Sequence, residues 1–213
     1  MIFKNRTEAG MLLAKALKEY KGCDVVVLAV PRGGVVVGYY VAKELGCPLD
    51  VIVPRKLGAP FQPELAIGAV AEDGTTVLNE DLVNSMGVSQ QYIEKKVKEE
   101  VAEIKRRISL YRSGKEAIPV KDKIVVLVDD GLATGATIKA AISYVKKLGP
   151  KALVVAVPVA PPETIRSLRQ EVDKVICLST PEPFYAIGQF YEEFEQVEDE
   201  EVIRLLSVKR RSA

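Results

Sequence analysis

The residues best suited to chemistry follow an apolar run that begins at Val125 and ends in two adjacent carboxylates, Asp129 and Asp130. A loop rich in glycine and threonine comes next and leads into a helix-patterned segment over residues 138–148. A loop between a parallel strand and a helix presents unpaired backbone N–H groups, which bind phosphate oxygens. We therefore predict that the loop forms a phosphate site from Gly131, Leu132, Ala133, Thr134, Gly135, Ala136 and Thr137.

Asp129 and Asp130 are predicted to act beside that site, by accepting hydrogen bonds from sugar hydroxyls or by facing the shell of a metal ion. The alternative is an ordinary turn before a capped helix, with both carboxylates facing solvent. Two acids after so apolar a strand are costly without a ligand or metal, which weighs against that alternative. The loop is not a P-loop, because no lysine precedes Thr137.

A second candidate anion site follows the first predicted strand, where Arg32, Gly33 and Gly34 precede a predicted helix. Backbone N–H groups at a helix start bind anions, and a guanidinium can hold two oxygens at once. The alternative is a tight turn with Arg32 as a surface charge.

A basic pair, Arg55 and Lys56, lies in a Gly/Pro-rich stretch after the second predicted strand. We interpret this stretch as a loop that closes over an anionic ligand, the alternative being ordinary charges at a strand end. Glu64 follows nearby and is a candidate acid or base, although a solvated surface carboxylate is the simpler interpretation.

Aromatic residues concentrate near the C-terminus, where residues 184–194 hold five of the thirteen phenylalanines and tyrosines of the chain. The cluster could seal the core, form a dimer contact or stack on a flat ring. Phe184 and Tyr185 are the candidates for stacking.

Composition excludes several classes of function. The chain has 213 residues, a net charge of +1, 48% hydrophobic residues, three cysteines and no histidine. Histidine-dependent triads and histidine metal sites are therefore excluded, and no basic excess indicates nucleic acid binding. The sequence shows neither a secretory signal nor an apolar run of membrane-spanning length, and its cysteines are scattered, so we predict a cytoplasmic protein with no membrane partner.

Apolar periodicity predicts an α/β fold in which a largely parallel sheet is flanked by helices. The predicted strands cover residues 24–30, 49–54, 124–129, 153–159 and 174–178, with a hairpin of residues 66–70 and 75–78. The predicted helices cover residues 5–20, 34–45, 89–112 and 138–148. We expect one domain over residues 1–213, with a helical insertion at 79–115 and a small C-terminal flap at 180–198.

The long predicted helix begins at a Ser89 cap and carries an apolar stripe. Glutamates interleave with its basic residues, so we interpret the charged face as solvated rather than ligand-binding. Its basic residues are Lys95, Lys96, Lys98, Arg106 and Arg107.

The stretch from the apolar run through Asp129, Asp130 and the T-G-A-T of residues 134–137 resembles the PRPP-binding signature of type I phosphoribosyltransferases. Gly131 stands where that family usually has a bulky aliphatic residue. The resemblance implies that the loop binds the 5′-phosphate of PRPP and that the acid pair orients the ribose. It also implies that Mg²⁺ is the cofactor, held mainly by substrate, with Asp129 and Asp130 contributing through water.

The same resemblance assigns the pyrophosphate of PRPP to the turn after the first strand, which in that family often contains a cis peptide. Pyrophosphate would be bound by Arg32, Gly33, Gly34, Arg55 and Lys56. Arg55 and Lys56 would lie in a mobile lid, and residues 180–198 would form a hood over the acceptor base. The implied catalytic residues are Asp129, Asp130, Arg32, Lys56 and, as a replacement acid or base, Glu64.

The resemblance predicts a homodimeric enzyme of nucleotide salvage that transfers the phosphoribosyl group from PRPP to a small nitrogenous base. Ala133 favours an adenine- or uracil-like acceptor, because hypoxanthine- and guanine-type relatives have an aspartate at that position. The hood pattern instead resembles the hypoxanthine–guanine enzymes, and the whole chain resembles an uncharacterised subgroup, so the acceptor stays open. The alternative function is a noncatalytic module that senses PRPP or a nucleotide.

Overall fold

The computed structural model describes residues 1–208; the last five residues of the predicted domain 1–213 lie outside the described residues. The strands are β1 (Val25–Ala29), β2 (Leu49–Val51), β3 (Arg55–Ala59), β4 (Gln62–Val70), β5 (Thr76–Leu78), β6 (Ile124–Val128), β7 (Ala152–Val159) and β8 (Lys174–Ser179). The α-helices are α1 (Arg6–Ala16), α2 (Gly33–Leu45), α3 (Glu80–Ser85), α4 (Gln90–Arg112), α5 (Ala136–Lys147), α6 (Pro162–Leu168) and α7 (Asp199–Ser207). Short 3-10 helices occupy Lys18–Tyr20 and Ile187–Phe190.

Five parallel strands in the order β2-β1-β6-β7-β8 form the central sheet, which confirms the predicted fold class. The middle strands are apolar on both faces, as expected for strands covered by helices on each side. Because β1 and β6 are neighbours in register, their carboxyl ends lie side by side, and the Val30 N–H donates to Val128 O at 2.9 Å. The turns that follow these two strands therefore meet at one edge of the sheet.

A second, antiparallel sheet of β3, β4 and β5 stands beside the first. The predicted hairpin is present, but β4 begins at Gln62 rather than at residue 66, and the predicted Gly/Pro-rich lid loop is strand β3. The tight turn between them is possible because Phe61 adopts a left-handed backbone conformation, with φ of 62°. Residues 62–65 are exposed. The first half of β4 therefore lacks the alternation of apolar and polar residues by which a strand is predicted from sequence.

Helix α4 begins at the predicted cap, where Ser89 Oγ accepts from the Tyr92 N–H at 3.2 Å. It lies against the hairpin, and the Tyr92 hydroxyl donates to Gly58 O at 2.9 Å. At its other end, the buried Tyr111 hydroxyl donates to Asp199 on α7 at 2.7 Å. The helical insertion is thus fixed to both the hairpin sheet and the C-terminal helix.

Several predicted bounds were wrong for local reasons. The first helix ends at Ala16, four residues before the predicted end, and continues as a 3-10 turn. Strand β2 ends at Val51, three residues before the predicted end, although the Ile52 N–H still donates to Ala29 O at 3.0 Å. Helices α3, α6 and α7 were not predicted, since each has fewer than ten residues and is too short for periodicity alone to identify a helix.

Candidate active site

A cavity of about 700 Å³ lies at the carboxyl edge of the parallel sheet, between the turns after β1 and β6 and the β3–β4 hairpin. Clefts at this edge are where open α/β sheets bind their ligands. The cavity brings together most of the predicted site residues, together with side chains from α4.

Six of the seven predicted phosphate-loop residues line this cavity; Ala136, the first residue of α5, is the exception. Gly135 has a left-handed φ of 74° and immediately precedes α5, so the loop turns directly into a helix start. The loop is anchored from behind, because Leu132 N–H donates to Val159 O at 2.9 Å and Thr164 Oγ1 donates to Ala133 O at 2.6 Å. This geometry presents the helix N-terminus toward the cavity, as anion binding requires.

Gly131, which stands where the family that the sequence resembles usually has a bulky aliphatic residue, has little free space around it. A Cβ at this position would lie 2.6 Å from Ile187 Cγ2 and 3.0 Å from Val159 Cγ1. Ile187, from the C-terminal flap, occupies the space that a bulky residue at 131 would need, and it lines the cavity itself.

Asp129 and Asp130 both line the cavity but differ in their surroundings. Asp129 Oδ1 accepts from the Asp130 N–H at 2.8 Å. Burial first, and then the neighbouring carboxylate of Asp130, raise the pKa of Asp129 well above its usual range. Asp130 is ion-paired instead, with its Oδ2 2.7 Å from Arg6 Nε. Two carboxyl groups so placed can accept hydrogen bonds from a polyol, and a positive charge that develops on the ligand would favour their ionised forms.

The turn after β1 contributes to the site differently from the prediction. The peptide bond between Pro31 and Arg32 is cis, and Pro31 lines the cavity. The Arg32 guanidinium does not line it: Nη1 lies 3.6 Å from Glu198 and 3.8 Å from Asp199, at the start of α7. In this structure the side chain is directed toward these two acids, and the predicted contact of its guanidinium with pyrophosphate stays a prediction.

Gly33 and Gly34 also stay outside the cavity lining, and they pack against the acid pair. A Cβ on Gly33 would lie 2.0 Å from Asp130 Oδ2, and a Cβ on Gly34 would lie 2.9 Å from Asp129 Cα. The two glycines are therefore needed so that helix α2 can approach the two carboxylates closely.

Charged side chains from the hairpin and from α4 also line the cavity, and we call this group the basic end: Arg55, Lys56, Lys96 and Arg107. Glu100 organises two of them, with Arg55 Nε at 2.7 Å and Lys96 Nζ at 3.0 Å. Lys56 is exposed, and Glu64 lies on the exposed start of β4 at the same end.

The interpretation of the charged face of α4 as solvated stays a prediction, but two of its five basic residues are only partly exposed. Lys95 is 78% exposed and follows the prediction, whereas Lys96 and Arg107 are 28% and 29% exposed and line the cavity. Lys96 and Arg107 flank the apolar stripe that packs on the hairpin, and that packing turns them inward. Their spacing with Glu100 on one helix face is a signal that the sequence offered.

The aromatic segment divides between two cavities. Phe184 and Tyr185 do not line the main cavity; they line an adjoining one of about 510 Å³ together with Ala133, Thr134 and Glu163. Phe184 also packs on Phe190, with ring centroids 4.9 Å apart, whereas Tyr185 is 83% exposed. Ala133 and Thr134 line both cavities, so the two cavities meet at this loop.

Sequence reasoning missed Arg6, whose partner Asp130 is 124 residues away. No local pattern links the two, so only the fold reveals the contact. It also missed Tyr92 and Glu100, which lie on the insertion helix and line the main cavity. Over residues 1–208, no helix is long and apolar enough to cross a membrane.

Comparison with known proteins gives a consistent result. A family model described as "Phosphoribosyl transferase domain" matches residues 2–195. Two Mycobacterium tuberculosis proteins named "Putative phosphoribosyl transferase" are 44% identical to this chain over 210 residues, which is 99% of this chain and 47% of theirs. The chain thus spans about half the length of these curated relatives.

Among solved structures, the crystal structure of TT1426 from Thermus thermophilus is similar over 97% of this chain and 98% of that one. Its TM-score is 0.81 and its sequence is 44% identical.

Proposed function

Because this chain belongs to the phosphoribosyl transferase domain family, we propose that it transfers the 5-phosphoribosyl group from PRPP to a nitrogenous base and releases pyrophosphate. The observation that carries this proposal is one cavity that joins a phosphate loop, an acid pair and a basic end. PRPP carries groups that these parts can bind: a 5′-phosphate, a ribose and a pyrophosphate.

In the proposed complex, the loop of residues 131–137 binds the 5′-phosphate through its N–H groups and the hydroxyls of Thr134 and Thr137. Asp129 and Asp130 accept hydrogen bonds from the ribose hydroxyls. The pyrophosphate lies toward Arg55 and Lys56, and Lys96 and Arg107 add to their charge. Arg32 supports the site through its backbone and its contact with α7, rather than through a guanidinium on the substrate.

The chemistry needs positioning and charge rather than a protein nucleophile. A ring nitrogen of the base forms a bond to C1 of the ribose as the bond from C1 to the pyrophosphate oxygen breaks, and the bond's electron pair leaves with pyrophosphate. The nitrogen then loses its proton. Positive charge grows on the ribose beside the carboxylates, and negative charge grows on the leaving group beside the basic end. The carboxylates and the cationic side chains therefore both lower the barrier.

The acid pair fits a magnesium ion held mainly by substrate. Within residues 1–208, no cluster of three or more acidic, cysteine or histidine side chains is arranged to hold a metal. Asp129 and Asp130 would therefore supply at most two carboxylates, directly or through water, and PRPP oxygens the remaining ligands. When bound, Mg²⁺ would neutralise charge on the pyrophosphate.

For the acceptor, we propose the adjoining cavity that Phe184 and Tyr185 line. Its aromatic residues can stack on a flat ring. Ala133 lines both this cavity and the main cavity, which we call the donor cavity because PRPP is proposed to bind there. Ala133 lacks the carboxylate of hypoxanthine- and guanine-type relatives, which favours an adenine- or uracil-like base. Glu64 lines the donor cavity and remains a candidate acid or base there.

The test is to incubate the protein with PRPP, Mg²⁺ and a panel of bases, and to measure pyrophosphate and nucleotide product. We expect release with adenine or uracil, little with hypoxanthine or guanine, and none after Mg²⁺ is chelated. Tight PRPP binding without release for any base would overturn the enzyme and favour a sensing module. A homodimer stays a prediction, to be measured by sedimentation.

A further inference from the structure

We propose that Arg6 is a positioning residue for the acid pair, which holds the Asp130 carboxylate in place and links it to the C-terminal flap. The inference rests on the proposed function, because it assigns Asp130 to the ribose of PRPP. Arg6 lies in the first turn of α1, outside every motif of the sequence.

The contact between Arg6 and Asp130 is short and shielded from solvent. Arg6 Nε donates to Asp130 Oδ2 at 2.7 Å, and both side chains are 12% exposed. Gly33 faces both groups, since a Cβ there would lie 2.0 Å from Asp130 Oδ2 and 2.6 Å from Arg6 Nε. The carboxylate is thus enclosed between the guanidinium and helix α2, with its remaining face toward the cavity.

Arg6 is itself held by the flap. Its Nη1 donates to the backbone oxygen of Glu195 at 2.7 Å, and its guanidinium carbon lies 3.9 Å from the centroid of the Phe194 ring. Phe194 packs on Tyr191 with centroids 5.0 Å apart, and the Tyr191 hydroxyl donates to Asp130 O at 2.6 Å. The contacts form a closed ring through Arg6, Asp130, Tyr191 and Phe194.

This ring uses features that only arginine supplies. The planar guanidinium donates in two directions and stacks on an aromatic face, whereas a lysine ammonium would keep the charge but not that geometry. An ion pair that served stability alone would not need to border the ligand cavity, as Asp130 does. The arrangement fits a carboxylate that must meet ribose hydroxyls in one orientation.

The chain offers a matched control in the pair of Arg112 and Asp50. Arg112 Nε lies 3.1 Å from Asp50 Oδ1, with side chains 15% and 7% exposed, so burial and chemistry are similar. This pair lines a different cavity, and Asp50 also accepts from the backbone N–H groups of Val51 and Ile118. Losing Arg112 should therefore lower stability without altering the acid pair.

The experiment compares Arg6→Gln, Arg6→Lys and Arg112→Gln for thermal stability, for affinity for PRPP with Mg²⁺ by calorimetry, and for transfer kinetics. We expect Arg6→Gln to weaken PRPP affinity about tenfold and Arg6→Lys about threefold, while Arg112→Gln stays within about twofold of wild type. In the double variant with Asp130→Asn, Arg6→Gln should cause no further loss, because it acts through that carboxylate.

Wild-type PRPP affinity in Arg6→Gln would overturn this inference alone, as would an equal loss in Arg112→Gln or full additivity with Asp130→Asn. If Arg6→Gln does not fold, Arg6→Lys decides: a threefold loss supports the inference and wild-type affinity overturns it. Failure of the wild-type protein to bind PRPP would overturn the proposed function and this inference with it.

Discussion

The two ends of the cavity are built in different ways. At one end, the phosphate loop is a single continuous segment, residues 131–137, whose backbone is set by a strand before it and a helix after it. At the basic end, four side chains come from a hairpin and from two places on a helix, and Glu100 organises two of them. The first end depends on backbone geometry, and the second depends on tertiary packing.

This difference indicates a division of work. Backbone N–H groups at a helix start are fixed before a ligand arrives, so they suit the part of a substrate that does not change. Cationic side chains can stabilise the negative charge that develops on a leaving group. In the proposed complex, the acid pair lies at the ribose, between the 5′-phosphate in the loop and the pyrophosphate at the basic end.

The largest effect is expected from the acid pair. Asp130→Asn keeps the shape of the side chain but removes the negative charge beside the ribose, so kcat/KM should fall at least about tenfold. Transfer kinetics measure this, and circular dichroism checks that the fold is kept. Unchanged kinetics would show that this carboxylate has no part in the mechanism. The comparison would then reduce to the loop and the basic end.

Gly33→Ala tests whether the backbone after β1 supports the acid pair. The new Cβ would displace the Asp130 carboxylate or Arg6, both of them flexible ends of side chains, so the protein should fold. PRPP affinity should fall about tenfold or somewhat less, because this change moves the acid pair, whereas Asp130→Asn removes its charge. Calorimetry with Mg²⁺ and PRPP measures it, and wild-type affinity would show that the close packing is incidental.

Lys96→Gln tests the basic end, with the adjacent and exposed Lys95→Gln as its control. We expect KM for PRPP to rise about threefold for Lys96→Gln and to stay unchanged for Lys95→Gln, since only Lys96 lines the cavity. The difference should shrink as salt is added, because the interaction is between charges near solvent. Equal behaviour of both variants would restore the solvated-face interpretation.

The smallest effect is expected at the contact between the hairpin sheet and α5. Glu72 lies in the turn between β4 and β5, and its side chain is hydrogen-bonded to Tyr144 on α5. Burial raises the pKa of the Glu72 carboxyl above 4.5. A raised pKa stabilises the fold below pH 4.5, and this contribution is lost as pH rises through the folded-state value. Glu72→Gln should therefore raise the melting temperature by about 2 °C at pH 8 and change it little at pH 4.

Thermal melts of both proteins across this range provide the measurement. If Glu72→Gln melts at a lower temperature than wild type at pH 8, the charged carboxylate is stabilising. That result would contradict the raised pKa of Glu72.

The loop end could be predicted from sequence because its chemistry and its geometry lie in consecutive residues. Asp129, Asp130 and the glycines that follow them specify the strand end, the acids and the helix start together. The parallel sheet was predictable for the same reason, since its strands are continuous apolar runs.

The basic end and the supports of the acid pair were not predictable in this way. The cavity role of Lys96 depends on how α4 packs against a hairpin whose exposed strand residues carry no alternation. Arg32 looked like an anion ligand in its own segment, but Glu198 and Asp199, distant in sequence, hold its side chain. Contacts of this kind are fixed by topology, which single-sequence patterns do not report.

A crystal structure of the protein with PRPP and Mg²⁺ tests the central claim most directly. The account predicts the 5′-phosphate in the loop of residues 131–137, the ribose hydroxyls on Asp129 and Asp130, and the pyrophosphate toward Arg55, Lys56 and Lys96. PRPP bound outside this cavity, or bound within it in the reverse direction, would contradict the account.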